Sequence, residues 1–193
     1  MNLDLLKRPA VLAATAVVVL LAVALVLYVK PSGPVHAPPS LSALVPAKTP
    51  AVVPDVAFTD GTGKRHMLSA FQGHYVLLNL WATWCAPCVK ELPALERLQD
   101  ATTGTNFAVV PVNVGRDDAL ETAKFLMSHG AAKLPVNVDT TLALMRTLHV
   151  YGLPVTVLID PKGREIARAE GPAEWDSPDA IAYFKSLAAH APS

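Results

Sequence analysis

The chain has 193 residues, and its 16 basic residues balance its 16 acidic residues, so that the formal net charge is zero. This length allows one domain of ordinary size with appended segments. The balanced charge and the lack of a basic stripe interleaved with aromatic residues argue against a nucleic-acid-binding protein.

The N-terminal segment has the composition of a membrane-spanning helix. Residues 10–29 carry no charge and are apolar except for Thr15. At about 1.5 Å per residue they would span the hydrocarbon core of a bilayer, which is roughly 30 Å thick. A cleaved signal peptide is the alternative, because Val35-His36-Ala37 is an acceptable cleavage sequence, but the apolar segment is longer than the usual h-region. We therefore predict a transmembrane anchor over residues 9–29.

The charges around this segment predict its orientation. Lys7 and Arg8 precede it, whereas Lys30 alone follows it directly. Because positive charge accumulates on the cytoplasmic side of a membrane helix, residues 1–8 are predicted to be cytoplasmic and the C-terminal part to be exported. Residues 30–50 are rich in Pro, Ala and Ser, a composition typical of an extended spacer. We therefore predict a linker over 30–50 and a folded domain over 51–193.

The pattern within residues 51–193 alternates between apolar strands and helices. In chain order we predict an extended start (52–58), a turn (60–63), a helical turn (68–71), a buried strand (75–81), a helix (86–99), a second buried strand (107–114), a helix (117–129), an extended stretch (134–138), a helix (140–148), a hairpin (155–160 and 165–170) and a closing helix (177–189). Pro111 inside the second strand predicts a bulge or the end of pairing. This order predicts an α/β domain with a mixed sheet flanked by helices.

The two cysteines, Cys85 and Cys88, stand where the first buried strand meets a helix. Cys85 would lie at the helix N-terminus, where unpaired N–H groups and the helix dipole favour a thiolate, and Cys88 about one turn inside. A zinc site would need two more ligands, and the six histidines show no metal-type spacing. A c-type haem would need His where Val89 stands. A structural disulfide closing so small a loop would contribute little stability. Redox chemistry without a metal or cofactor is the remaining interpretation.

Two segments carry a resemblance to a known family, WCAPC at 84–88 and GLPVT at 152–156. Both resemble the thioredoxin superfamily. The approach NLWATWC (79–85), the continuation KELP (90–93) and the tail GPAEW (171–175) are similar to the membrane-anchored TlpA-like thiol:disulfide oxidoreductases. The similarity runs from about Ala51 to the C-terminus and implies a thioredoxin-like fold.

The resemblance implies a role for each residue of these motifs. Cys85 would be the attacking thiolate, and Cys88 would resolve the mixed disulfide and leave a Cys85–Cys88 disulfide. Trp84 and Pro87 would shape the surface around the cysteines, although Trp84 could instead be a packing aromatic.

The segment 152–156 carries a further expectation. The resemblance implies a cis peptide bond between Leu153 and Pro154, which is a minority conformer of X-Pro bonds in general. The backbone of Leu153 would then bind an extended segment of the partner.

Asn79 marks a departure from the classical thioredoxins, which resemble one another in having a buried aspartate six residues before the first cysteine. An amide cannot titrate, so the proton of Cys88 must be handled by another group or by water. Glu91 is the candidate, because it lies three residues after Cys88 on the same helix face and matches a glutamate in several TlpA-like proteins. The alternative is a solvated helix carboxylate. A partly buried Glu91 with a raised pKa would favour the functional role.

The direction of electron flow follows from the two residues between the cysteines. Strongly oxidising members of the superfamily have a histidine there, which stabilises the thiolate, whereas this chain has Ala86 and Pro87. We therefore predict a reductant of protein disulfides, which needs electrons delivered across the membrane. The resemblance implies a membrane thiol-reductant transporter as donor and targets in cytochrome c or cytochrome oxidase biogenesis. It also implies a single-pass protein of the bacterial inner membrane with its domain in the periplasm.

Three alternatives remain. One is a general dithiol oxidant or isomerase. A second is a copper-carrying assembly factor on the same fold, whose usual signal is a Cys-X-X-X-Cys pair with a distant His and therefore differs from this spacing. A third is a binding module with a vestigial disulfide, which the intact WCAPC and GLPVT segments argue against.

Overall fold

The computed structural model describes residues 37–190. The predicted cytoplasmic terminus (1–8) and anchor (9–29) lie outside the described residues. Among residues 37–190, no helix combines the length and the apolar character needed to cross a membrane.

A mixed β-sheet forms the centre of the described domain. Its strands are β1 (Leu44–Val52), β2 (Ala57–Asp60), β3 (Arg65–Met67), β4 (Tyr75–Trp81), β5 (Phe107–Asn113), β6 (Asn137–Val138), β7 (Val155–Ile159) and β8 (Arg164–Glu170). Their spatial order is β1-β8-β7-β4-β5-β6-β2-β3. The β4/β5 and β5/β6 pairs are parallel, and the others are antiparallel. The predicted α/β domain with a mixed sheet is confirmed.

Helices cover the sheet, and their ends follow local sequence signals. They are α1 (Ala86–Thr102), α2 (Ala119–Ser128), α3 (Ala143–Thr147) and α4 (Pro178–Ala189). Asp118 and Glu121 form a capping box at the start of α2. Ser177 caps α4, with Pro178 at its first position. Gly130, with φ +70°, lies just beyond α2 in the left-handed conformation that ends many helices.

Strand β4 is buried on both faces, which explains its nearly continuous apolar sequence. Leu77 and Trp81 belong to the core cluster that contains the apolar residues of α1 and α4. Leu78 and Leu80 belong to the cluster on the opposite face of the sheet. Because side chains alternate along a strand, Asn79 lies on the same face as Leu77 and Trp81 and therefore faces α1.

The folded domain begins earlier than the sequence predicts. Leu41 and Leu44 are 0% and 2% exposed and belong to the core, and β1 pairs with β8 from its first residue. The predicted linker over 30–50 is therefore wrong in its C-terminal part, and Ala51 falls inside a strand. The prolines at 46 and 50 indicated a spacer, but β1 is an edge strand, where proline is tolerated on the unpaired side.

Removal of the residues before Ala51 should destabilise the domain. A chain that begins at Ala51 lacks Leu41 and Leu44, and burial of a leucine contributes about 1.5–3 kcal/mol, so its free energy of unfolding should be about 3–6 kcal/mol lower than that of a chain beginning at Ala37. Urea unfolding measures the difference. A chain that begins at Pro39 and keeps both leucines is the control. Equal unfolding free energies at all three starts would contradict the prediction.

Pro111 produces no bulge in β5. It stays in register with Asn79 of β4, and its carbonyl accepts a hydrogen bond from Asn137 Nδ2 at 3.0 Å. Its backbone groups therefore face β6, which pairs with β5 only at Asn113 and Val138. The proline lies where no ladder hydrogen bond needs an N–H, so β5 continues through it.

Candidate active site

Cys85 and Cys88 lie at the N-terminus of α1, directly after β4. Cys85 is the N-cap residue, and its Sγ accepts a hydrogen bond from the Cys88 N–H at 3.4 Å. The two side chains form a disulfide. Cys88 is completely buried, whereas Cys85 retains 5% exposure. Cys85 is therefore the sulfur that a partner can reach first.

Exposed residues lie next to the disulfide in the chain and in the loop before β7. Trp84 is 71% exposed, and Ala86 and Pro87 are also exposed. The packing alternative for Trp84 is therefore wrong. Tyr151, in the loop before β7, is 93% exposed. These side chains are free to contact another molecule.

The loop before β7 brings Leu153 and Pro154 to the end of the sheet at which β4 leads into Cys85. The Leu153–Pro154 peptide bond is cis, as predicted. Val155 of β7 pairs with Leu80 of β4, which places Pro154 beside the end of β4 that leads to Cys85. Pro154 O accepts from the Gly171 N–H at 2.9 Å, whereas the backbone groups of Leu153 have no backbone partner within residues 37–190.

Glu91 is buried on α1, one turn beyond Cys88, at 4% exposure. Its Oε1 accepts a hydrogen bond from Asn79 Nδ2 at 2.8 Å, and its Oε2 accepts one from Trp175 Nε1 at 2.9 Å. Burial raises the pKa of Glu91 to about 7, and hydrogen bonds from Trp175, Asn79 and the backbone of Ala173 oppose that rise. The alternative of a solvated helix carboxylate is wrong.

Asn79 connects Glu91 to the sheet. Its side chain is fully buried, and Nδ2 also donates to Thr156 Oγ1 at 2.9 Å, across the β4/β7 ladder. Its Oδ1 has no hydrogen-bond partner among the described residues. The Asn79 amide thus links α1, β4 and β7, and its Oδ1 remains an unpaired acceptor within residues 37–190.

A second polar network holds the segment that leads to the cysteines. Thr83 Oγ1 donates to Asp117 Oδ2 at 2.8 Å, and the same oxygen accepts from Asn113 Nδ2 at 3.1 Å. Asn113 Oδ1 in turn accepts from the Gly115 N–H at 2.7 Å. A Cβ at Gly115 would lie 2.9 Å from Asn113 Oδ1 and 3.0 Å from Asp117 Oδ2, so this close approach requires glycine. The network fixes the chain two residues before Cys85.

Trp175 and Thr156 are site residues that the sequence did not predict. The signal for Trp175 was present, because it belongs to the tail at 171–175 that resembles the TlpA-like proteins, but the sequence did not indicate that the tail packs on α1. Thr156 belongs to the GLPVT segment, and only the register of β7 against β4 places it at Asn79.

The arrangement is suited to thiol–disulfide exchange. The cysteine at the helix N-terminus keeps slight exposure, the second cysteine beside it is completely buried, and a carboxyl group with a pKa of about 7 lies one turn away. Within residues 37–190, no three His, Cys, Asp or Glu side chains come together in a metal-binding arrangement.

Comparison with known sequences identifies a family model and related thiol-disulfide oxidoreductases. The Redoxin family model matches residues 47–183. The thiol-disulfide oxidoreductase ResA of Bacillus subtilis (strain 168) is 35% identical over 118 residues, which cover 61% of this chain and 65% of that protein. ResA of Bacillus thuringiensis subsp. konkukian is 31% identical, with 61% and 67% covered. The chain thus spans just under two thirds of the length of the Bacillus subtilis relative.

Comparison with solved structures agrees. A protein of Chlorobium tepidum assigned as the thiol:disulfide interchange protein DsbE is 28% identical, with a TM-score of 0.63 over 72% of this chain and 97% of that chain. A secreted thiol-disulfide isomerase of Corynebacterium glutamicum, 21% identical, has a TM-score of 0.63 over 80% and 97%, and it supports the fold alone. Together the comparisons confirm the predicted resemblance to the thioredoxin superfamily and its TlpA-like members.

Proposed function

The chain belongs to the Redoxin family, and on this premise we propose that it is a protein thiol:disulfide oxidoreductase that acts by dithiol exchange at Cys85 and Cys88. The observation that carries the proposal is the disulfide at the N-terminus of α1, in which Cys85 keeps slight exposure and Cys88 is completely buried. Cys85 is therefore the nucleophile and Cys88 the resolving residue.

The reaction proceeds in two exchange steps. The N–H groups and dipole at the start of α1 favour the thiolate of Cys85. This thiolate attacks one sulfur of the partner disulfide, so that a Cys85–partner bond forms and the other partner sulfur leaves as a thiolate. Cys88 then loses its proton and attacks Cys85 Sγ, which forms the Cys85–Cys88 disulfide and releases the partner with two added electrons.

Glu91 is the group that we assign to the proton of Cys88. It follows Cys88 by three residues, so both side chains lie on the same face of α1. A carboxyl group with a pKa of about 7 can accept a proton from a thiol near neutral pH and return it in the reverse step. Asn79 holds the carboxylate but cannot titrate itself.

The partner binds at the end of the sheet where β4 leads to Trp84 and Pro87 and where Leu153 precedes β7. Trp84 and Tyr151 offer exposed aromatic surface. The backbone of Leu153 is available to an extended segment, which would pair with it as a short added strand. This mode of binding presents the partner disulfide to Cys85.

The protein acts as a reductant in the periplasm, anchored in the bacterial inner membrane by residues 9–29. Neither Ala86 nor Pro87 has a side-chain donor that would stabilise the thiolate of the reduced form and so make the Cys85–Cys88 disulfide a strong oxidant. Re-reduction of the Cys85–Cys88 disulfide requires a dithiol donor, and a membrane thiol-reductant transporter supplies it. The targets are cysteines reduced during cytochrome c or cytochrome oxidase biogenesis.

The reduction potential tests this direction of electron flow. The domain from Ala37 onward, equilibrated with defined dithiothreitol or glutathione ratios, should have a potential near the thioredoxin value of about −270 mV. Pro87→His is the matched control and should give a less negative potential, because a histidine favours the neighbouring thiolate. A reduction potential of about −120 mV for the unaltered domain would identify an oxidant instead.

A further inference from the structure

Trp175 lies between β8 and α4, and its side chain is fully buried. Its ring packs in the core on the α1 side of the sheet, with the ring centroid 6.4 Å from that of Phe184 in α4. Its one polar atom, Nε1, donates to Glu91 Oε2 at 2.9 Å. Packing therefore fixes the indole while its N–H is directed at the carboxylate.

The segment around Trp175 is attached to α1 at a second point. Asp176 Oδ2 accepts a hydrogen bond from Arg97 Nε at 2.6 Å. The backbone of Ala173 also hydrogen-bonds to Glu91. Three contacts, from Ala173, Trp175 and Asp176, thus hold this segment against the helix that carries both cysteines.

We propose that Trp175 is the positioning residue for Glu91: its indole N–H holds Oε2 while Asn79 holds Oε1, and together the two donors stabilise the carboxylate form. The consequence for proton transfer from Cys88 rests on the proposed function. The effect of Trp175 on Glu91 does not.

The surroundings of Glu91 make this hydrogen bond decisive. From β4 the carboxylate is contacted by Asn79, which Thr156 of β7 holds in turn, and from the segment before α4 by Trp175 and the backbone of Ala173. None of these groups ionises near neutral pH. On its own helix the facing titratable group is Cys88, which titrates only in the reduced protein. Among the described residues Glu91 forms no ion pair. Hydrogen bonds alone therefore oppose the effect of burial.

Trp175→Phe tests the proposal, because it keeps an aromatic ring and removes the N–H. The midpoint of the Glu91 titration should move up by about one to two pH units, the size expected for the loss of a hydrogen bond to an ionised group. The measurement is the ¹³C NMR signal of the glutamate carboxyl carbons in the oxidised protein, with Glu91 assigned by its absence in Glu91→Gln. Glu174→Gln, at the exposed position next to Trp175, is the control and should leave the midpoint unchanged.

A second measurement covers the case in which Trp175→Phe fails to fold. In the unaltered protein, the Nε1–H resonance of Trp175 should shift with the same midpoint as Glu91, whereas that of exposed Trp84 should not. A constant Trp175 resonance, or an unchanged Glu91 midpoint in a folded Trp175→Phe, would overturn the proposal. Both readouts use the oxidised protein, so a failure of exchange activity would count against the proposed function and leave this result intact.

The reduced protein gives the functional readout. In Trp175→Phe the midpoint of the pH profile for the rate at which Cys88 resolves a mixed disulfide should rise by the same interval as the midpoint of the Glu91 titration. A variant that was merely less stable would lose activity at every pH without moving the profile. A profile that stays in place while the Glu91 midpoint moves would separate Glu91 from the proton of Cys88 and so refute the proposed role of Glu91 alone.

Discussion

Replacement of Cys85 by serine should reduce the rate of insulin-disulfide reduction to that of dithiothreitol alone, whereas replacement of Cys88 should trap the protein on its partner. Cys85, at the N-cap of α1, is the more exposed of the two cysteines, and Cys88 has no exposed surface. Without Cys85 no mixed disulfide forms. Without Cys88 the mixed disulfide forms and cannot be resolved from within the protein.

Two assays distinguish these outcomes. Turbidity of reduced insulin reports turnover, and mass spectrometry under non-reducing conditions reports the covalent adduct. The double variant, with both cysteines replaced, is the control that should give neither turnover nor adduct. Adducts that form through Cys88 in the absence of Cys85 would reverse the two roles, and turnover in the double variant would exclude dithiol exchange altogether.

Local sequence patterns predicted most of the elements near the site. The apolar run ending at Trp81, the N-terminal position of Cys85 and the hairpin between β7 and β8 each depend on periodicity, a cap or a turn within a few residues. The contacts that complete the site are different in kind. Glu91 meets Trp175 across 84 positions of sequence, and Asn79 meets Thr156 across 77. No periodicity encodes which distant segments pack together, so these contacts required the fold.

One predicted helix starts later in the structure because a local side-chain interaction competes with it. The helix predicted over 140–148 begins only at Ala143, because Asp139 accepts hydrogen bonds from the N–H groups of Thr141 and Leu144 and so holds a turn there. Leu142 adopts a left-handed conformation with φ 59° within that turn. A side-chain carboxylate thus replaces the first turn of the predicted helix.

Glu91→Gln should slow the resolving step at neutral pH by about 100-fold, the lower end of what a positioned base contributes. In the unaltered protein the rate should rise as the pH passes through about 7, since the carboxylate form of Glu91 accepts the Cys88 proton. In the variant only the thiol's own ionisation, near pH 8.5 in an unperturbed cysteine, should remain. Stopped-flow release of the second coloured thiol from an aromatic disulfide measures the step.

Glu174→Gln provides the matched control for this prediction. Glu174 is exposed and adjacent to Trp175, so the same chemical change there should leave the rate and its pH profile unaltered. If Glu91→Gln retained the rise near pH 7, another group would have to carry the proton.

Glu91→Gln should also stabilise the oxidised protein at high pH. Folding raises the pKa of Glu91 from 4.5 to about 7, so the stability that the protonated acid contributes is complete below pH 4.5 and is lost as the pH rises to about 7. Above that pH the loss amounts to about 3 kcal/mol. Glutamine carries no charge, and Asn79 can turn its amide to offer the unpaired Oδ1 to the new N–H group.

The difference in unfolding free energy between Glu91→Gln and the unaltered protein should therefore grow from pH 4.5 to pH 7 and then stay constant. Urea unfolding of the oxidised forms at several pH values measures it, and the difference cancels the contributions of all other carboxylates. A difference independent of pH would mean that Glu91 is not the buried acid described here. A variant that is slower in exchange but more stable at pH 8 would show that a destabilising carboxyl group is retained at this position for its chemistry.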